Sequence, residues 1–292
     1  MKKNLNFLLF GFLFPALVVL LAGVDELYAQ QRKIDSLLKV LKTSGEDTSQ
    51  VNTLSALSSI YTATGVYQKG LQYGIRAQQQ AEKINYKKGL ANAFNNIGSV
   101  YFNGSNYEKA LENYFEALKI REKIKDKRGI GGSYNNIGLI YAEQGNYEKS
   151  MENHLKSLKI REEIGDKKGI AGSYNNIGSV YKSQGNYEKA LENYFKSFKI
   201  LDEISLDHPD DNVIKKAKGN FYNNIGLIYM NKGNYKDAIT NYWKALKIRE
   251  EVGDKHGIAS SYNNIGNVYT DEKNYKEALD NHFKSLKIEE EI

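Results

Sequence analysis

The chain has 292 residues, with 41 basic and 35 acidic side chains for a net charge of +6, and it contains 22 tyrosines, 25 glycines, 2 prolines and no cysteine. The lack of cysteine excludes disulfide scaffolds, thiolate zinc sites, iron–sulfur clusters and thiol nucleophiles, and four histidines leave little for a metal centre. A 41% hydrophobic, 26% charged composition is that of a folded chain, and the scarcity of proline favours long helices.

In chain order, residues 1–29 have the layout of an export signal. Lys2 and Lys3 precede an apolar run from Phe7 to Val24, and Leu27-Tyr28-Ala29 places a small residue before a cut. The run also lies at the lower limit for a membrane anchor, although Gly11 and Pro15 interrupt it. The expectation is export to the periplasm or the extracellular space, or else retention at the membrane by residues 7–24. Residues 30–48 follow as an N-terminal capping helix, with Ile34, Leu37, Leu38 and Leu41 on one face.

The rest is one repeated unit. Tyr134-Asn135-Asn136-Ile137-Gly138 returns at Tyr174, Tyr222 and Tyr262, with an earlier copy at Phe94, so successive copies start 40, 40, 48 and 40 residues apart. A diverged copy carries Leu54, Leu57 and Tyr61 on the same columns. The units run 49–88, 89–128, 129–168, 169–216, 217–256 and 257–292. All tyrosines except Tyr28, Tyr73 and Tyr86 fall on four columns of this unit, which reads as mostly core.

Each unit predicts two antiparallel helices. Tyr134, Ile137, Gly138 and Tyr141 share one face of the first, Gly145 ends it, and Asn146 caps the second. Ala190, Tyr194 and Phe198 show the apolar stripe of the second helix. Gly98, Gly138, Gly178, Gly226 and Gly266 share one column at up to about 1 kcal/mol each relative to alanine, which implies close helix approach. Ala110, Ser150, Ala190, Ala238 and Ala278 are the expected partners. Second-helix cations such as Lys119, Arg121, Lys159, Arg161, Lys247 and Arg249 read as a solvated outer face beside glutamates.

Tyr174, Ile177-Gly178, Tyr181, Ala190 and Tyr194 resemble the tetratricopeptide repeat, and the likeness covers residues 49 to 292. The unit is longer than the family's usual one and lacks the proline that closes it, which makes it similar to the repeats of Pins-type spindle adaptors and kinesin light chains. The resemblance implies an all-α fold, a right-handed α-α superhelix (TPR solenoid) of six helix pairs whose first helices line a concave groove.

The paired asparagines Asn95-Asn96, Asn135-Asn136, Asn175-Asn176, Asn223-Asn224 and Asn263-Asn264 are the sharpest candidate site. Two asparagines per helix sacrifice roughly 1 kcal/mol of propensity, so something must offset it. One reading is a ladder of amides that grips the main chain of an extended peptide, resembling the asparagine ladders of O-linked N-acetylglucosamine transferase and the kinesin light chain. The other is that one asparagine of each pair bonds the backbone of a neighbouring repeat and serves only stacking. The second asparagine, in Asn96, Asn136, Asn176, Asn224 and Asn264, is the stronger ligand candidate.

No catalytic, cofactor or metal site is expected. Asp207 to Asn212 lacks the glycine and alternating oxygens of a calcium loop, and Asp210 or Asp211 there reads as a helix start. His154 and His282 replace tyrosines on a core column. Nucleic acid is not an expected partner, since the outer cations alternate with glutamates. The expected function is a non-enzymatic protein–protein interaction module that holds an extended peptide in its groove. The alternative is the N-terminal sensory region of a membrane signalling protein, a histidine kinase or nucleotide cyclase, with its catalytic part beyond Ile292. A membrane is a partner only through an uncleaved N-terminal segment, and the last repeat has no cap of its own, which leaves self-association open.

Overall fold

A computed structural model describes residues 30–43 and 45–292, and the export signal read from residues 1–29 lies outside them. Every regular element among the described residues is a helix. After α1 (residues 30–43) come α2 (Thr48–Ala63) with α3 (Tyr67–Lys83), α4 (Lys87–Asn103) with α5 (Tyr107–Lys123), α6 (Lys127–Glu143) with α7 (Tyr147–Glu163), and α8 (Lys167–Ser183) with α9 (Tyr187–Asp207). Then follow α10 (Asn212–Asn231) with α11 (Tyr235–Glu251) and α12 (Lys255–Asp271) with α13 (Tyr275–Glu290). Residues 31–200 form one compact unit and residues 201–292 another. Within the first, α2 to α8 pack in sequence, and the first helices of neighbouring pairs, α2 with α4 and α6 with α8, also touch. Within the second, α10, α11, α12 and α13 pack in sequence. No described helix is long and apolar enough to cross a membrane.

Short polar side chains set the helix ends. Asn146 accepts from Lys149 N at 3.1 Å to start α7, Asp166 accepts from Gly169 N at 3.1 Å to start α8, and Asp211 accepts from Val213 N at 2.8 Å to start α10. At the turn between α6 and α7 the backbone enters the left-handed region, with φ of +72° at Gly145, which only glycine adopts without strain.

The core is built between the helices of a pair and the pair that follows. Ala110, Tyr114 and Leu118 of α5 bury against Ile137 and Ile140 of α6, and Ala238, Tyr242 and Leu246 of α11 bury against Ile265 and Val268 of α12. Ile34 of α1 buries against Leu57 and Tyr61 of α2, with Leu37, Leu38 and Leu41 beside them. The close-approach glycines meet rings as well as the expected small residues, with Ser150 Oγ donating to Gly138 O at 2.8 Å. A methyl group on Gly98 would stand 2.8 Å from the Tyr114 ring, and on Gly138 2.8 Å from His154. The Ala110 carbonyl oxygen lies 3.3 Å from the methyl position on Gly98. A flat ring across a bare backbone fills this space as alanine cannot. The tyrosines are also less buried than the pattern implies. Tyr114, Tyr194 and Tyr242 are buried, whereas Tyr134, Tyr141 and Tyr147 are half-exposed. Several half-exposed rings carry lysines, with Lys156 Nζ 5.5 Å from the centre of Tyr134 while it bonds Glu152 at 2.7 Å.

Candidate peptide-binding face

The asparagine pairs sit mid-way along the first helices, and consecutive pairs are zipped together. Asn136 Nδ2 donates to Asn95 Oδ1 at 3.1 Å, Asn176 Nδ2 to Asn135 Oδ1 at 2.9 Å, and Asn264 Nδ2 to Asn223 Oδ1 at 2.9 Å. Asn96, whose predecessor column holds Ser55, donates instead to the Ser55 carbonyl oxygen at 2.9 Å. The second asparagine therefore reaches back to the preceding first helix while the first receives from the following one. These bonds offset the lost helix propensity. The stacking reading thus describes the donor of the second asparagine, but its partner is backbone only at Asn96 and the neighbouring asparagine side chain at Asn136, Asn176 and Asn264. Each link still leaves polar groups over, because Nδ2 of Asn95 and Asn135 and Oδ1 of Asn96 and Asn136 make no hydrogen bond among the described residues. Asn175 donates weakly to Asn176 Oδ1 at 3.4 Å, Asn263 Oδ1 meets His282 Nδ1 at 3.1 Å, and Asn224 is half-buried on α10.

The arginines of the second helices are not on the outer face, where the sequence pattern placed them. Arg121 and Arg249 are 7% and 6% exposed and run inward beneath the first helices. Arg121 Nη1 donates to Gly129 O at 3.1 Å and Ser133 Oγ at 2.7 Å, with Asn95 Oδ1 at 3.4 Å, and its Nη2 donates to Asn92 Oδ1 at 3.2 Å. Arg249 repeats all four contacts with Gly257, Ser261, Asn223 and Asn220. Arg161 bonds Gly169 O at 2.9 Å and Ser173 Oγ at 2.8 Å. Burial lowers all three guanidinium groups from their ordinary range, opposed by Asp126, Asp166 and Asp254 respectively. The signal that could have revealed them is a paired substitution. Arg121, Arg161 and Arg249 each have serine twelve residues on, at Ser133, Ser173 and Ser261, whereas buried Leu201 and Phe221 share those two columns in the remaining case.

The other candidates fall into supporting roles. His154 is 1% exposed against Gly138, with Nδ1 unbonded. Asp211 caps α10, and Asp210 pairs with Lys215 at 3.4 Å. One residue on the first-helix face stands apart. Lys182 of α8 is half-buried, burial lowers its ammonium, and it forms no ion pair or hydrogen bond among the described residues.

The family model for the tetratricopeptide repeat matches residues 49–123, 130–203 and 219–291. The chain belongs to the tetratricopeptide repeat family. No curated protein matches it in sequence. Among solved structures, the apo form of RapI aligns with a TM-score of 0.69 at 18% identity, over 94% of this chain and 97% of that one. Aspartyl phosphate phosphatase F from Bacillus subtilis aligns at 0.68 and 16% identity, over 94% and 71%. BtubC (BKLC) from P. vanneervenii aligns at 0.62 and 19% identity, over 76% and 91%. At these identities the likeness is one of fold.

Proposed function

We propose that this repeat protein is a non-enzymatic interaction module that holds an extended segment of a partner protein along its first helices. The reading rests chiefly on the asparagine zipper. Its spare Nδ2 and Oδ1 groups on α4 and α6 offer donors and acceptors at the spacing of successive repeats, which suits main-chain recognition. Neighbouring positions on the same face, Phe102, Ala142 and Lys182, differ from repeat to repeat, as side-chain recognition on a constant scaffold requires. With the export layout of residues 1–29, we place this activity outside the cytoplasm.

Random peptides displayed on phage, fused at their C-termini, should yield binders to the whole chain. Their affinity, measured by fluorescence anisotropy, should drop at least about tenfold with Ala142→Trp, which fills the first-helix face. It should be unchanged with Leu155→Ala on the exposed face of α7. The opposite pattern would place binding on the second helices and defeat the proposal.

A further inference from the structure

The three inward arginines are built alike but not satisfied alike. A methyl group on Gly129, Gly169 or Gly257 would lie 2.8 Å from the Cδ of Arg121, Arg161 or Arg249, so the three side chains enter the same slot. Arg121 Nη2 then meets Asn92 Oδ1 and Arg249 Nη2 meets Asn220 Oδ1. In the third repeat the corresponding residue is Gly132. Arg161 Nη2 has no hydrogen bond among the described residues, and the space above Gly132 is open, since an added methyl would meet nothing within 4 Å. Arg161 is accordingly the more accessible of the three. A methyl on Gly172 of α8 would stand 3.9 Å from Arg161 Nη1, which puts the guanidinium beside the first-helix face of α8 as well as α6.

Lys182 lies on that face. Gly172, Asn175, Ser179 and Lys182 follow at spacings of three, four and three residues, one stripe of a helix. From Gly172 to Lys182 is about 15 Å along the axis, the length of about four to five residues of extended chain. Two cations that form no ion pair among the described residues thus stand at the ends of a stripe whose middle is neutral amide and hydroxyl. Asp166, the nearest acid to Arg161, is engaged in capping α8 through Oδ1.

We propose that α6 and α8 select an acidic segment: an extended peptide placing one carboxylate side chain on Arg161 Nη2 above Gly132 and a second, about four to five residues away, on Lys182 Nζ. This rests on the peptide-binding reading of the first-helix face and names the ligand class that face accepts. The carboxylate at Arg161 supplies the acceptor that Asn92 and Asn220 supply internally to Arg121 and Arg249. The one at Lys182 pairs a half-buried ammonium that otherwise has no counter-charge.

The test is the same phage selection, whose peptides have no free C-terminal carboxylate, run on wild type, Lys182→Gln and Gly132→Asn. Gly132→Asn returns the internal acceptor while keeping Arg161 and its bonds to Gly169 and Ser173, so the scaffold stays intact where Arg161→Gln could unfold it. Wild-type selections should be enriched in Asp/Glu pairs about four to five apart. Each variant should bind those peptides about tenfold or more weakly and lose the enrichment at one of the two positions. Wild-type affinity should also fall with added salt. Binders without acidic enrichment, or an enrichment that survives both variants, would overturn the acidic-segment proposal alone. A library that yields no binder to any of the three proteins would defeat the peptide-binding reading beneath it.

Discussion

In the second helix pair Tyr114 reaches Ser99 Oγ at 3.1 Å and Arg121 places both terminal nitrogens on acceptors, leaving only its Nε without one, whereas in the third His154 and Arg161 occupy those columns with Nδ1 and Nη2 left over. Leu139 has replaced the serine and Gly132 the asparagine. Elsewhere in the third pair Ser150 and Ser157, standing where the second has Ala110 and Ala117, donate to Gly138 O and Gly131 O at 2.8 Å each. Apolar packing is carried over between repeats almost unchanged, while buried polar atoms are satisfied by pairs of columns. When one column changes alone, its partner's hydrogen bond is lost, and such atoms are where acid sensitivity and ligand contact arise.

The largest expected difference between the two pairs is their response to acid. Burial, helped by the charge of Arg161, pushes His154 down to about 4 from its ordinary 6.5. The unfolded chain therefore takes up a proton near pH 6.5 and the folded one not until about pH 4. Stability from neutral His154 is complete above about pH 6.5 and is lost as pH falls towards 4, by up to about 3 kcal/mol. His154→Phe, which keeps a ring against Gly138 and needs no partner from Leu139, should remove that part of the loss. Thermal melts at pH 7 and 4.5 should show a smaller drop in Tm for the variant, and an equal drop in both proteins would contradict a neutral buried imidazole.

The glycines that face these rings separate the pairs by a smaller margin. Gly98→Ala pushes a methyl against Tyr114, which is held by its bond to Ser99, and to 3.3 Å from Ala110 O, so it should cost about 2 kcal/mol. Gly138→Ala meets the smaller ring of His154, which has no hydrogen bond through Nδ1 to hold it, and should cost less. Urea melts of the two variants compare them directly, and a Gly138→Ala loss as large as that of Gly98→Ala would mean that the imidazole is as firmly fixed as the phenol.

Much of this architecture is legible in the sequence because its signals are local. The recurrence of the Tyr134–Gly138 segment marks the units, Gly145 and Asn146 mark a turn and a cap, and Asp211 marks the start of α10, each through chemistry within a few residues. The arginines were misread for the opposite reason. Lys119-Ile120-Arg121 has the look of a solvated helix face, and what buries Arg121 lies on α4 and α6. The asparagine ladder was half legible. Helix propensity shows that something must offset the two asparagines, but which amide is tied and which is spare depends on contacts 41 residues apart.

The finest contrast is the exchange of one residue between the pairs. Asn92→Gly removes the acceptor from Arg121 Nη2 and weakens α4, at a cost of about 1 kcal/mol. Gly132→Asn raises helix propensity in α6 and offers Arg161 the bond it lacks, for a gain of about the same size or less, because the new side chain must be ordered over a site now open to water. The two effects should therefore be opposite in sign, and in the double exchange they should nearly cancel, since each asparagine serves its own arginine. Chemical denaturation of both single variants and of the double measures this. If Gly132→Asn proves destabilising while Asn92→Gly does not, the asparagine is not what completes the arginine slot, and the unpaired Nη2 of Arg161 would lose its meaning as the mark of a missing partner.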